Sequence, residues 1–360
     1  MTSIAFVSGS KLNDGIFRGN FQVYRAAKEL GFAASWVQCI DPSDREGSYV
    51  GDQSIVGRRL LIPSVEQGLN RLWVFPGRLQ TLSQDRVFLG DPTFLGFAKG
   101  TQGERTVVHV HDLRPLTTYG DRWDTRWMFR YAIPRLRTVR RIMVHTQFVR
   151  TALESLPGVR DQVYVLPPHS ELSPRVAEDH LRASKERLAR DDEVKVLYVA
   201  TDRPYKNLGF FFRLAKALES ETHPRYQFTL VSRLRNSSEA VLRRLRPTNL
   251  AILPFAPEVS PVYDHSDVVV FPSLYEGFGL PMLEGMSFGM PVIANSLEPM
   301  REVLGDGGLF APAQDIPAWK ELLLSLSDPQ RYDSAARRAA ERSRAYSTER
   351  FTEGLPGLFA

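Results

Sequence analysis

Two glutamates, Glu276 and Glu284, stand eight residues apart in the stretch SLYEGFGLPMLEGM. Gly277, Gly279 and Pro281 lie between them. Glycine lets a backbone approach a ligand closely, and a helix opening at Pro281 points unpaired N–H groups at an anion. Either carboxylate alone reads most simply as a solvated residue, since charged side chains are mostly exposed. An exposed helix, however, has no need of three preceding backbone constraints. The arrangement as a whole therefore points to a ligand at the mouth of a parallel sheet.

Other residues of chemical character are scattered along the chain. In TDRPYKNL, Arg203 and Lys206 precede a helix whose macrodipole they oppose, so either an anion sits between them or the loop is merely basic. His111-Asp112 follows the strand Thr106–Val110, and His145 follows Arg141–Val144. A histidine there faces a ligand or is simply satisfied in its loop, and the second reading is favoured for each taken singly, more so for His145. His169 carries no assigned role. Trp123, Trp127, Met128 and Tyr131 alternate with arginines from Arg122 to Arg141. The favoured reading is a core-facing helix with snorkelling arginines; the alternative is a patch for an anionic membrane or a lipid-linked substrate.

The elements that must hold these residues follow from apolar runs and turn signals. Strands are expected at Ser3–Val7, Ala33–Ile40, Leu60–Ile62, Leu72–Phe75, Arg86–Leu89, Thr106–Val110, Arg141–Val144 and Val163–Leu166. A first helix is expected with Asn20 as its cap. In the second half, strands are expected near Val194–Ala200, Tyr226–Ser232, Leu250–Phe255, Val268–Phe271 and Pro291–Ala294, alternating with helices. Such alternation gives open α/β domains with parallel sheets, and two of them with a cleft between is the expectation. The boundaries are residues 1–168 for the first domain, a proline-rich and then highly charged linker at 169–192, a second domain at 193–345, and a tail at 346–360 expected to pack back on the first domain.

Composition limits the alternatives. The 360 residues are 43% hydrophobic and 24% charged, as in globular proteins. The apolar runs are far shorter than a membrane span needs. The N-terminal MTSIAFVSGS reads as a strand rather than a secretory leader, so the cytoplasm is the expected compartment. Cys39 is the only cysteine, which excludes an intrachain disulfide and suits a buried core position. A formal charge of +5 favours anionic ligands or surfaces and is too small to imply nucleic acid. No GxGxxG follows the first strand, which disfavours a dehydrogenase.

YEGFGLPMLEGMSFGMPVIA resembles the E-x7-E signature of glycosyltransferase family 4, retaining enzymes of the GT-B fold. VVHVHDL is similar to the family's strand-end histidine motif, VATDRPYKNL to the turn that opens its second domain, and SLEPMREVLGDGGLFAP to the segment after the signature. The resemblance implies two Rossmann-like domains whose parallel sheets face a deep cleft. It implies that Glu284 holds nucleotide ribose hydroxyls and Glu276 donor-sugar hydroxyls. Backbone N–H groups of Gly277, Phe278, Gly279 and Leu280 would help to hold sugar and phosphate. Lys206, with Arg203, would neutralise the diphosphate, His111 would contact the sugar near the reacting carbon, and Gly19 would let the first helix approach the phosphates. Arg18-Gly19 departs from the family's Gly-Gly pair, and Arg203 lies two residues beyond the usual arginine position, held by Thr201.

The resemblance thus implies a retaining, metal-independent hexosyltransferase. Its donor would be a GDP- or UDP-sugar such as mannose or glucose, and its acceptor a glycan or lipid-linked saccharide of cell-surface assembly. Leaving-group charge would be met by preorganised cations and dipoles; no Asp-x-Asp triplet is present to hold a metal. No cofactor beyond the nucleotide-sugar co-substrate and no nucleic acid partner is expected. Peripheral contact with an anionic membrane on its inner face is a further expectation. The rival readings are a nucleotide-sugar epimerase or hydrolase on the same fold and a catalytically silent binding subunit.

Overall fold

Thirteen strands among the described residues form two all-parallel sheets, and each strand's composition reflects its position. The computed structural model describes residues 2–10, 15–42, 51–59, 63–117, 123–159, 161–170, 172, 174–191, 193–255 and 260–360. The chain divides into two compact units, Met1–Pro168 with Glu349–Ala360, and His169–Thr348. Each unit is an open α/β sheet with helices on both faces.

In the first unit the strands are β1 (Ser3–Ser8), β2 (Ala33–Ile40), β3 (Gln53–Val56), β4 (Arg86–Leu89), β5 (Thr106–His109), β6 (Arg141–Val144) and β7 (Val163–Val165). They lie in the order β3-β2-β1-β4-β5-β6-β7. All four residues of β5 are buried, as expected of a central parallel strand covered on both faces. One face packs Val7, Leu89, Val108 and Ile142; the other packs Phe6, Phe88, Val107 and Met143. Cys39 is buried in the first of these clusters. The C-terminal helix Thr348–Phe359 joins the second, where Phe359 lies against Phe6 and Phe88, and Tyr164 donates to the Gly354 carbonyl at 2.7 Å.

Three expectations about this unit need correction or lie beyond it. Leu72–Phe75 is helical, spanning the junction of the helices Asn70–Val74 and Phe75–Leu79, with Leu72 and Phe75 buried. A four-residue apolar run carries no period to separate strand from buried helix. The sheet's edge strand is instead Gln53–Val56, whose outer half is exposed and whose pattern is correspondingly faint. Asn20 does not cap the first helix, which begins at Gly15; it is buried in mid-helix. Leu60–Ile62 lies outside the described residues.

The helix Trp123–Ala132 turns Met128, Phe129 and Ala132 inward, so part of it faces the core as favoured. Trp127 does not follow; it is 48% exposed. Its ring lies 6.2 Å from that of Trp73, itself 49% exposed, and 6.1 Å from Tyr131. Arg126 and Arg130 are exposed beside them, and the Arg135 guanidinium sits 3.6 Å over the Tyr131 ring.

In the second unit the strands are β8 (Glu193–Val199), β9 (Arg225–Val231), β10 (Leu250–Leu253), β11 (Val268–Phe271), β12 (Val292–Asn295) and β13 (Gly308–Ala311), in the order β10-β9-β8-β11-β12-β13. β13, a Gly-Leu-Phe-Ala run, was not anticipated. The segment read as a linker is the helix Pro174–Asp191, which packs within this unit. Ala177, Leu181 and Ser184 are buried on one face, at helical spacing that dense surrounding charge obscures. Its Arg187 pairs with the fully buried Asp267, which also accepts from the Lys195 amide at 2.8 Å.

Strand order locates the ligand positions. In the second sheet the chain runs outward from β8 to β10 and then returns to place β11 on the other side of β8. The carboxyl ends of β8 and β11 therefore flank a topological switch point, where open α/β sheets take ligands. β1 and β4 make the same junction in the first sheet. The β8 end leads to Thr201–Lys206 and the β11 end to Pro272–Gly279.

Candidate active site

At the switch point of the second unit, Lys206 meets Glu276. The ammonium lies 2.5 Å from Glu276 Oε1, with side chains 13% and 9% exposed. Two loops from adjacent strands are needed for this pairing, and their backbones are joined directly. The Leu274 amide donates to the Tyr205 carbonyl at 2.6 Å. Tyr198, on β8, donates to the Lys206 carbonyl at 2.7 Å and lies 3.1 Å from Ser273 Oγ. Burial of that phenol raises its pKa well above the ordinary value, so it stays a neutral donor. Asn207 takes a left-handed conformation at φ +56°, which asparagine tolerates better than most residues, and its amide donates to Pro272 and Ala313 carbonyls. Asn295 donates to the Ser273 carbonyl at 2.9 Å. The Lys206 ammonium is also 5.3 Å over the Phe271 ring and 5.5 Å over that of Tyr205.

The glutamate-rich stretch then opens the helix Leu280–Ser287. Gly279 precedes it at φ +89°, where a Cβ would come within 2.6 Å of Met282 and 3.2 Å of Phe271. No side chain caps this helix, nor the helix Leu208–Ala217 that follows Lys206. Two sets of first-turn N–H groups are thus left without a side-chain acceptor, as in an anion site. Pro281 fits the first turn, where an N–H has no helical partner. Glu276, Gly277 and Phe278 are buried, and Gly279 and Leu280 partly so. Glu284 is partly buried, its Oε2 accepting from the Tyr263 hydroxyl at 2.5 Å. Tyr263 stacks on Phe288 at 5.3 Å and 9°, and its carbonyl lies 3.2 Å from His180 Nε2 on the Pro174–Asp191 helix. The supposed linker therefore braces the residue that orients Glu284. Arg203 precedes the turn Pro204–Lys206, its amide donating to Thr201.

The first unit holds a second cluster at the carboxyl ends of β5 and β6. The rings of His109 and His111 have centroids 3.6 Å apart, His109 and His145 4.4 Å, and His111 and His145 5.7 Å. Their hydrogen bonds set the tautomers. Asn20 donates its amide to the Gly90 carbonyl at 3.0 Å, leaving its oxygen to accept from His109 Nδ1 at 2.8 Å. His111 Nε2 donates to Gly90 at 3.2 Å and His145 Nδ1 to Leu166 at 2.9 Å. Burial is the main reason all three pKa values fall, His109 far below the ordinary value, His111 to about 3 and His145 to about 4. Mutual repulsion lowers His109 and His111 further. The imidazoles are neutral at pH 7. Gly19 faces them: a Cβ there would lie 3.4 Å from His145 Nε2 and 3.7 Å from Cε1 of each other ring.

Each anticipated residue thus has a place. Glu276 and Lys206 are in contact, Gly277 to Leu280 link them to the uncapped helix, and Glu284 lies on that helix. His111 and Gly19 come together in the first unit. Sequence reasoning missed Tyr198, Asn207, Tyr263, Ser273 and Asn295, which orient the others, and undervalued His109 and His145. Asn207 had a legible signal, a turn-prone residue directly before a helix. The remaining contacts join residues distant in the chain.

Comparisons with known proteins identify the family and the fold. The family model described as "Glycosyl transferases group 1" matches residues 180–345. The sequence is 30% identical over 263 residues to the O-antigen chain mannosyltransferase B of Escherichia coli, covering 69% of this chain and 68% of that protein. Among solved structures, sucrose-phosphate synthase of Thermosynechococcus elongatus superposes with a TM-score of 0.78 at 17% identity, covering 100% of this chain and 98% of that one. Anabaena Alr3699/HepE, solved with UDP and glucose, gives 0.77 at 14% identity, covering 99% of each. WaaG, a glycosyltransferase involved in lipopolysaccharide biosynthesis, gives 0.71 at 15% identity, covering 97% of each. At such identities these structures share the fold, which is GT-B.

Proposed function

This chain belongs to the group 1 glycosyl transferases, and from that premise we propose that it moves a hexosyl unit from a nucleoside-diphosphate sugar to an acceptor hydroxyl with retention of anomeric configuration. Mannose is the favoured sugar, because the O-antigen relative named above is a mannosyltransferase, as are two further relatives in sequence. The acceptor is a glycan or lipid-linked saccharide. The observation that carries the proposal is the buried Lys206–Glu276 pair at a switch point flanked by two uncapped helix N-termini.

In this reading Glu284, oriented by Tyr263, accepts from the ribose hydroxyls, and Glu276 accepts from hydroxyls of the donor sugar. As the bond to the anomeric carbon breaks, negative charge grows on the departing diphosphate. Lys206, together with Arg203 and the first-turn amides, stabilises that charge without a metal. Neutral His111 contacts the sugar near the reacting carbon, and Gly19 leaves room beside it. Acceptor attack comes from the face the leaving group vacates. Incubation with GDP-mannose or UDP-glucose and saccharide acceptors, followed by NMR, tests the scheme. A product keeping the donor's anomeric configuration is expected. Inversion would reject the retaining route, and donor loss without acceptor would favour the epimerase or hydrolase alternative. UDP-glucose as donor is the second reading, suggested by the ligands of the HepE structure.

We place this activity in the cytoplasm, with the first unit touching the anionic inner face of the membrane. No described helix is long and apolar enough to cross a membrane. The support is the exposed Trp73 and Trp127, with half-buried Tyr131 against both, beside Arg126 and Arg130, aromatic rings and cations suiting an anionic headgroup layer. Vesicles rich in phosphatidylglycerol are expected to carry the protein in flotation and neutral vesicles to leave it behind. Trp73→Ala with Trp127→Ala should weaken binding several-fold. Equal behaviour on both vesicle types would refute the contact.

A further inference from the structure

We propose that His109, His111 and His145 form a binding site for a first-row transition-metal dication of the zinc class, a ligand that the transfer reaction itself does not call for. Among the described residues, these three bring one ring nitrogen each to within 4.8 Å of the others. Tetrahedral zinc with bonds of about 2.0–2.1 Å needs nitrogens roughly 3.4 Å apart. Inward turning of the rings by about an ångström closes that gap. Imidazole nitrogen suits zinc, copper, nickel and cobalt and not magnesium or calcium.

The surroundings are those of a ligand set. A metal-bound histidine typically gives its other nitrogen to a fixed acceptor, which orients the ring. All three rings do so, to the Asn20 amide oxygen, the Gly90 carbonyl and the Leu166 carbonyl. That leaves each ring with one lone-pair nitrogen in its neutral form. His109 Nε2 is buried with no hydrogen-bond partner, a costly condition that coordination removes. A carbonyl cannot donate to it, whereas a cation satisfies it directly. Gly19 leaves methyl-sized room over the rings, where a Cβ would make only ordinary contacts at 3.4 to 3.7 Å. The site does not rest on the transfer reading. Where both hold, metal on His111 excludes the sugar, so zinc would inhibit transfer.

Cobalt(II) reports on the site without any assay of activity. Chelator-stripped protein titrated with Co²⁺ is expected to take up one equivalent and to show the visible absorption of a four-coordinate ion. One equivalent of Zn²⁺ should bleach that absorption, zinc standing above cobalt in affinity. His145→Gln and, separately, His109→Gln should weaken uptake at least tenfold while far-UV circular dichroism stays unchanged. The chain has seven histidines, so a surface site is the competing explanation. The proposal is overturned by spectra of octahedral cobalt only, or by undiminished affinity in both folded variants. Should one variant fail to fold, the other decides.

Discussion

Replacing Lys206 with alanine is expected to destabilise the fold by about 3–5 kcal/mol and to lower transfer at least ~100-fold. The two effects have separate origins. Glu276 is 9% exposed and paired with Lys206 at 2.5 Å, so removing the ammonium leaves a desolvated carboxylate with its countercharge gone. Loss of activity follows from removing the cation that we propose meets the leaving diphosphate. Glu276→Gln should also be destabilising, since it strands a buried ammonium. The double variant Lys206→Met with Glu276→Met separates the two: apolar replacement of a whole pair is often neutral, so most of the stability should return while transfer stays lost. Urea unfolding and initial rates on all four proteins make the comparison. Recovery of both stability and rate in the double variant would show the pair to be structural only.

Acidification is expected to unfold the protein well before its carboxylates titrate. His111 and His145 are neutral in the folded chain, with pKa values of about 3 and 4, and ordinary in the unfolded chain near 6.5. Below pH 6.5 the unfolded chain therefore binds protons that the folded chain refuses, and stability falls with falling pH. The contribution is fully present above 6.5 and declines until the folded pKa is reached. Each such histidine contributes about 1.4 kcal/mol per pH unit, so these two remove on the order of 5 kcal/mol between pH 6.5 and 4.5. His109, shifted the same way, adds to this. Denaturant melts in the presence of chelator, from pH 7.5 to 4.5, should show this slope. His145→Gln should flatten it. A stability independent of pH in that window, or an unaltered slope in the variant, would contradict the buried neutral cluster.

Much of the second unit was legible in the sequence because its central strands are continuous apolar runs and its loops carry unusual residues. Val268–Phe271 is bounded by Asp267 and Pro272, and its three β-branched valines with a phenylalanine favour a buried strand. The glycines and proline of Tyr275–Pro281 mark a backbone under constraint, and the left-handed Gly279 explains why. The first unit was less legible. Its edge strand Gln53–Val56 is half polar, and the run at Leu72 is too short to show a period. Asn20 looked like a cap because asparagine is common at caps; its actual role, bridging His109 and Gly90, depends on a strand 89 residues away. Tyr263 and His180 were invisible for the same reason, being recognisable only through Glu284 and Phe288 in space. The Pro174–Asp191 helix was obscured by its charge, since three small or apolar positions among arginines and glutamates give a weak stripe.

The group 1 family membership and the GT-B fold accommodate many sugars, so the central claim concerns the donor site built around Glu276, Lys206 and Glu284. The measurement that addresses it most directly is calorimetric titration of UDP, GDP, ADP and their sugars into the wild-type chain and Glu284→Ala, which needs no acceptor. One nucleotide sugar should bind to the wild type, with the bare nucleoside diphosphate retaining part of the affinity. Glu284→Ala should weaken both by at least tenfold while its thermal midpoint stays within a few degrees of the wild type. Absence of binding for every nucleotide, or equal affinity in Glu284→Ala, would contradict the assignment of this site to a nucleotide-sugar donor.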